Sequence, residues 1–155
     1  MQPNSHGLVY RVGQVPREIP LVQISDFIGD ADSFIWLDIQ SPDSKLLAML
    51  GEELGLHELS LEDALTTHQR PKLDEYGDHL FISSKVVALA DGQTVLGELH
   101  LFIGSNFIVV IRHGPSLDFA RSCDRLARQH NGFKPERSTA LYFMLDEIVD
   151  HYQPV

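Results

Sequence analysis

The chemistry legible in this sequence begins with acids. Glu62 and Asp63 stand side by side in LSLEDALTTHQRPKLDEYGDHLFI, residues 59–82, ahead of the basic turn Arg70-Pro71-Lys72. Neighbouring residues on a helix point about 100° apart, so the two cannot both grip one ion closely. A cation held there needs further carboxylates from another element or another subunit. Hard cations such as Mg2+ suit that arrangement, because they keep several waters and take only one or two protein carboxylates. Standing alone, such a pair is more commonly a solvated helix face. Asp146 and Asp150 are spaced i, i+4 and share a helix face. A bridging cation would relieve their repulsion, but a wet face is the simpler account.

The remaining reactive side chains are less telling. Asp38, in FIWLDI, is a lone acid in an apolar run. It could serve as a general base, although capping a strand end is the commoner role. Ser83-Ser84-Lys85 reads as sheet surface rather than a serine–lysine catalytic pair. Of the eight histidines, His57, His68 and His79 recur at a spacing of 11 residues across a helix, a turn and a strand. That does not describe one ligand face, and most of the histidines read as surface or capping residues. No HExxH, Cys/His zinc pattern, GxSxG, Walker A or GxGxxG motif occurs.

The elements that must position these groups follow from periodicity. LVYRV, between Gly7 and Gly13, reads as a first edge strand. FIWLDI has the near-continuous apolar character of a strand covered on both faces. In SPDSKLLAMLGEELG, Ser41 or Asp43 can cap a helix, Leu46, Leu47, Leu50 and Leu54 form its stripe, and Gly55 can stop it. The next helix, HELSLEDALTTH, has Leu59, Leu61 and Leu65 as apolar anchors. Ser60 and Asp63 fit a capping-box spacing if it starts late, and Arg70-Pro71 ends it. HLFISSKVVALA, VLGELHLFIGS and NFIVVIRH are strands joined by turns short enough for antiparallel hairpins. SLDFARSCDRLARQH is a helix ending at Asn131-Gly132, and a last helix starts near Pro135, a favoured first-turn residue.

This order predicts an α+β fold, with a mixed, largely antiparallel sheet and helices packed on its faces. The 155 residues suit a single domain. A net charge of −10 argues against a nucleic-acid surface, which needs clustered Lys and Arg. The single cysteine, Cys123, cannot form an internal disulfide and reads as a packed thiol of an intracellular chain. No signal peptide and no apolar run of ~20 residues appear, so the sequence reads as soluble. Asp146, Glu147 and Asp150 crowd the last visible turns of the final helix, where negative charge opposes the macrodipole by about 0.3–1 kcal/mol each. A helix interrupted in mid-course accounts for them, and the expectation is one domain, 1–155, of a longer protein.

FIWLDI, LGLHELSLEDAL, HQRPKLDEYGDHLFI and LYFMLDEIVDHY, in that order and spacing, resemble the cytoplasmic N-terminal domain of CorA-type divalent-cation transporters. The resemblance covers about residues 34 to 155. It implies an α/β/α sandwich on the cytoplasmic side of a homopentameric channel that carries Mg2+, in some members Co2+ or Ni2+. A stalk helix and two membrane helices, joined by a Gly-Met-Asn loop, would follow outside this chain. It also implies regulatory Mg2+ between neighbouring subunits: the family's regulatory aspartate falls on Asp63, with Glu62 beside it, and a second acid falls on Asp146. The usual partner carboxylate of Asp63 lies on the stalk. Arg70-Pro71-Lys72 is then expected to be structural, fixing the turn into the sheet. Glu58 stands where the family often has proline, an acid that suits a first helical turn. The alternatives are a related Zn2+ transporter, a small acid–base hydrolase resting on Asp38, Glu62 or Asp63, and an interaction module without a ligand.

Overall fold

The computed structural model describes residues 5–114, 119–129 and 135–152. β1 (Ser5–Arg11) and β2 (Arg17–Ile19) open the chain, followed by a 3-10 turn (Leu21–Gln23) and the short helix α1 (Ser25–Ile28). β3 (Ser33–Gln40), α2 (Ser44–Leu54) and α3 (Glu58–Leu65) come next. Four strands follow, β4 (Lys72–Glu75), β5 (Leu80–Ala90), β6 (Gln93–Ile103) and β7 (Phe107–His113). Helices α4 (Ala120–Ala127) and α5 (Arg137–His151) complete the described fold.

The strands form one sheet in the order β2-β1-β3-β7-β6-β5-β4. β3 and β7 run parallel, and every other neighbouring pair is antiparallel. The expected mixed sheet with helices on both faces is what forms. Strand alternation divides the apolar residues of β3 between two cores. Ile35, Leu37 and Ile39 face one layer, where α2 contributes Leu47, Leu50 and Leu54, and α3 contributes Ala64. Phe34 and Trp36 face the other, where α4 contributes Cys123 and Leu126, and α5 contributes Ala140, Phe143, Met144 and Ile148.

Local signals decide the helix ends. Asp43, rather than Ser41, caps α2 by accepting from the Leu46 amide at 2.8 Å. Gly55 ends that helix at φ 66°, a left-handed conformation that favours glycine. α3 departs from expectation. His57 caps it, its Nδ1 accepting from the Leu59 amide at 3.1 Å, and Ser60 instead donates to the His57 carbonyl at 2.6 Å. Leu59 and Leu65 are 55% and 39% exposed, while Ser60 and Ala64 are fully buried. The helix is short and packs through its small residues, so two of its three leucines turn outward. It stops at Leu65, where Thr66 becomes extended, well before Arg70-Pro71.

Two further expectations are corrected. LVYRV is an inner strand, because the three-residue β2 pairs along its outer side (Gly7 with Ile19, Val9 with Arg17). β2 is too short, between Pro16 and Pro20, to show in periodicity. Pro135 precedes α5 instead of lying in its first turn, since Glu136 is the N-cap. Asn131-Gly132 lies outside the described residues.

The β6–β7 turn leaves no room for a side chain, since a Cβ built on Gly104 would overlap the edge of the Phe107 ring. Gly104→Ala should therefore destabilise the domain by about 1–3 kcal/mol. A urea midpoint unchanged from the parent would contradict this account of the turn.

Candidate functional site

α3 carries Glu62 and Asp63, and the structure shows how it is seated. At its start, the His57 amide donates to His79 Nε2 at 3.4 Å, and the Ser60 hydroxyl lies 3.5 Å from the same nitrogen. His79 Nδ1 faces Asp78 Oδ1 at 2.9 Å. The Tyr76 ring stacks between His57 and His79, with centroids 4.7 and 5.3 Å away. At its end, the Ala64 carbonyl accepts from His113 Nε2 at 2.7 Å and His100 Nδ1 at 3.3 Å. The short helix is thus gripped by histidines at both termini. His79 and His100 are buried, so the surface-or-cap reading of the histidines holds for His57 and fails for these two.

The seat beneath the C-terminal end of α3 is charged. Glu98 pairs with Lys85 and, at 3.1 Å, with His100. Burial pushes His100 below the usual histidine range, reinforced by His113 and opposed by Glu98 and the Ala64 carbonyl. Burial pushes Glu98 upward, but the Lys85 and His100 partners outweigh it and leave the carboxyl below its ordinary range. Ser83 is buried on this same face and not on the sheet surface, and Lys85 is committed to Glu98. No serine–lysine pair exists there.

Glu62 is exposed and its side chain points into solvent, while its carbonyl accepts from the Thr66 hydroxyl at 3.0 Å. Asp63 is half-buried and holds Lys72 Nζ at 2.5 Å; Lys72 also reaches Asp74 at 3.1 Å. The hydrogen bond to Asp63 raises Lys72 above the ordinary lysine range, against the opposing effect of burial. Lys72 is therefore more than part of a structural turn. It opens β4, and alternation puts Lys72 and Asp74 on one face of that strand. The signal was present in the spacing K-x-D, but a four-residue edge strand is hard to recognise from sequence.

Asp146 lies on α5, in the opposite layer, and pairs with Arg125 of α4 at 2.7 Å. It shares no site with Asp63 within one chain. Glu147 is buried and accepts from the Ser122 amide at 3.1 Å and from the Ser122 hydroxyl. Two of the three acids that crowd the end of α5 thus have partners inside the domain. Asp38 faces the α4 layer beside Trp36 and takes Arg112 Nε at 2.7 Å. Asp38 and Asp63 consequently lie on opposite faces of the sheet and form no common catalytic cleft. Clefts of about 680 and 950 Å3 flank β1 and β2, and neither is lined by Glu62, Asp63 or Asp146.

Among the described residues, no three His, Cys, Asp or Glu side chains converge closely enough to hold a metal ion. Asp63 and Glu62 can contribute oxygen ligands to a hydrated hard cation only if further ligands come from elsewhere. Among the same residues, no helix is long and apolar enough to cross a membrane.

A family model described as "CorA-like Mg2+ transporter protein" matches residues 31–155. YfjQ of Bacillus subtilis, named as a metal ion transporter, is 27% identical over 124 residues, covering 79% of this chain and 38% of the relative. The cobalt/magnesium transport protein CorA of Thermotoga maritima is 25% identical over 127 residues, covering 79% and 36%. The complete structure of the CorA magnesium transporter from Methanocaldococcus jannaschii superposes with a TM-score of 0.69 at 21% identity, over 94% of this chain and 45% of that one. The chain spans less than half the length of these relatives.

Glu147→Ala should cost about 1–3 kcal/mol, because it leaves two Ser122 donors unpaired in the interior. Asp150→Ala, on the exposed face of the same helix, should change stability by less than about 0.5 kcal/mol. Equal urea midpoints for the two variants would refute the assignment of Glu147.

Proposed function

The chain belongs to the CorA-like Mg2+ transporter family, and from that membership we propose that it is the Mg2+-sensing domain of a divalent-cation transport channel, lying on the cytoplasmic side of the membrane. The family is one of transporters, not of enzymes. In this reading residues 1–155 precede a stalk helix and membrane helices, and the chains assemble as a pentamer. The cation is Mg2+, with Co2+ supported as a second cargo by the name of the Thermotoga relative.

The observation that carries the reading is the Asp63–Lys72 contact on the half-exposed flank of α3. Asp63 would supply one carboxylate oxygen to a hydrated Mg2+ whose other ligands come from the neighbouring subunit. Glu62, exposed beside it, would add charge and an outer-sphere contact through water. The Lys72 ammonium stands against the Asp63 carboxylate, where such a cation would bind. A partly exposed pair of this kind contributes only about 0–1 kcal/mol, so a divalent ion completed by a second carboxylate can displace it. Asp146 would act separately, in the other layer, after release from Arg125.

Mg2+ that binds only the assembled, closed arrangement draws the equilibrium toward it. Its loss leaves acids of neighbouring subunits facing each other, and their repulsion loosens the ring. The same two-state logic makes Lys72 a competitor of the ion. It sets the Mg2+ concentration at which the domain responds.

In the intact transporter, Asp63→Ala should abolish or weaken the protection from protease that Mg2+ confers on this domain. Lys72→Met should shift the midpoint of protection to lower Mg2+, by a factor of up to about 5. Unchanged protection in Asp63→Ala would sink the role of Asp63; an unchanged midpoint in Lys72→Met would sink that of Lys72. Reading the coding frame beyond Val155 tests the domain assignment. A long helical segment followed by two apolar stretches enclosing Gly-Met-Asn is the expected outcome.

A further inference from the structure

We infer that the seating of α3 is controlled by protons, through His57 and His79 at its N-terminal end. The inference starts from the direction of two hydrogen bonds. The Leu59 amide can only donate, so His57 Nδ1, 3.1 Å away, must be bare. The His57 amide likewise can only donate, so His79 Nε2, 3.4 Å away, must be bare as well. His79 is then protonated at Nδ1, where Asp78 accepts at 2.9 Å. Both rings must be neutral for α3 to start where it does.

Acid removes both acceptors. A proton on His57 Nδ1 turns the N-cap into a donor facing a donor, and it places positive charge at the positive end of the helix dipole. A proton on His79 Nε2 faces the His57 amide in the same way. The groups around these rings do not prevent this. Tyr76, stacked between them, is neutral in this range, its pKa raised mainly by burial. Glu58 is the adjacent acid on α3, and Asp78 Oδ1 lies 2.9 Å from His79 Nδ1. Ser60 offers a hydroxyl that can reorient, and Phe102 is apolar.

The C-terminal end behaves oppositely. The Ala64 carbonyl can only accept, so His100 Nδ1 and His113 Nε2 donate to it in either charge state. Protonation of these two rings therefore frees the start of α3 and leaves its end attached. This proton sensitivity stands apart from the cation reading; only its consequence for Asp63, carried on the same helix, rests on that reading. If Asp63 senses Mg2+, acid should weaken the response, and by linkage Mg2+ should hold the histidines neutral.

The test is amide hydrogen exchange followed by NMR on the chain, with a chelator present so that no divalent ion contributes. Between about pH 7.5 and about pH 5.5, protection factors at Leu59 and Ser60, corrected for intrinsic rates, should fall roughly five-fold, the scale of losing one N-cap. Amides of α4 should keep theirs. His57→Asp, which supplies a cap that stays ionised over this range, should abolish most of the fall. Equal protection at the two pH values, or a full fall in His57→Asp, would overturn the inference. So would nitrogen shifts showing His57 protonated at Nδ1 at the higher pH, a measurement that needs no variant. Repeating the exchange with Mg2+ separates the two ideas, since loss of a Mg2+ effect alone leaves the proton result standing.

Discussion

Everything in this domain depends on the burial of β3 on both faces. Every residue from Ser33 to Ile39 is buried, and alternate side chains enter opposite cores. Full burial of each large apolar side chain contributes about 1.5–3 kcal/mol, so one strand stabilises both layers at once. Because β3 pairs antiparallel with β1 and parallel with β7, it also joins two otherwise separate runs of antiparallel strands. Residues that carry charge on this strand must be paired, and Arg112, from the neighbouring parallel strand, answers Asp38.

The layer holding α3 follows a different rule. Its core is apolar near α2, but under the C-terminal end of α3 it becomes Lys85, Glu98, His100 and His113. Such networks contribute little net stability compared with apolar packing, yet they fix geometry, because each member has few acceptable partners. α3 turns two of its three leucines outward and small residues inward, and polar contacts at both termini hold it. That construction fixes α3 through polar contacts at its ends more than through apolar burial. A helix with a wide apolar face would sit more firmly.

Much of this was legible in the residues. FIWLDI announced a strand covered on both faces, the Asp43 and Gly55 signals bracketed α2, and the short turns between HLFISSKVVALA, VLGELHLFIGS and NFIVVIRH marked the hairpins. The harder features share a cause. β2 and β4 have three and four residues, too few for an alternation to emerge from noise. The leucines of α3 fit a helical stripe by spacing alone, but which face turns inward is set by the polar seat below. That seat is assembled from Glu98, His100 and His113 on strands distant in sequence. The Asp63–Lys72 contact was missed for the same reason, since it needs both the early end of α3 and the start of β4. The four blocks that carry the family resemblance located the acids without revealing what holds them.

The parallel join between β3 and β7 has a consequence for how the chain acquires its shape. Ile35 must find Phe107, and every strand from β4 to β6 lies between them in sequence. Antiparallel pairing of β5, β6 and β7 closes short loops and can proceed early, whereas this join closes a long one, an entropic burden that slows folding. On a ribosome, β3 emerges well before its parallel neighbour exists. Until then one edge of this strand, which the folded domain buries on both faces, is open to any other strand it meets. The nascent domain is most vulnerable to misassembly in that interval, and the arrival of β7 ends it.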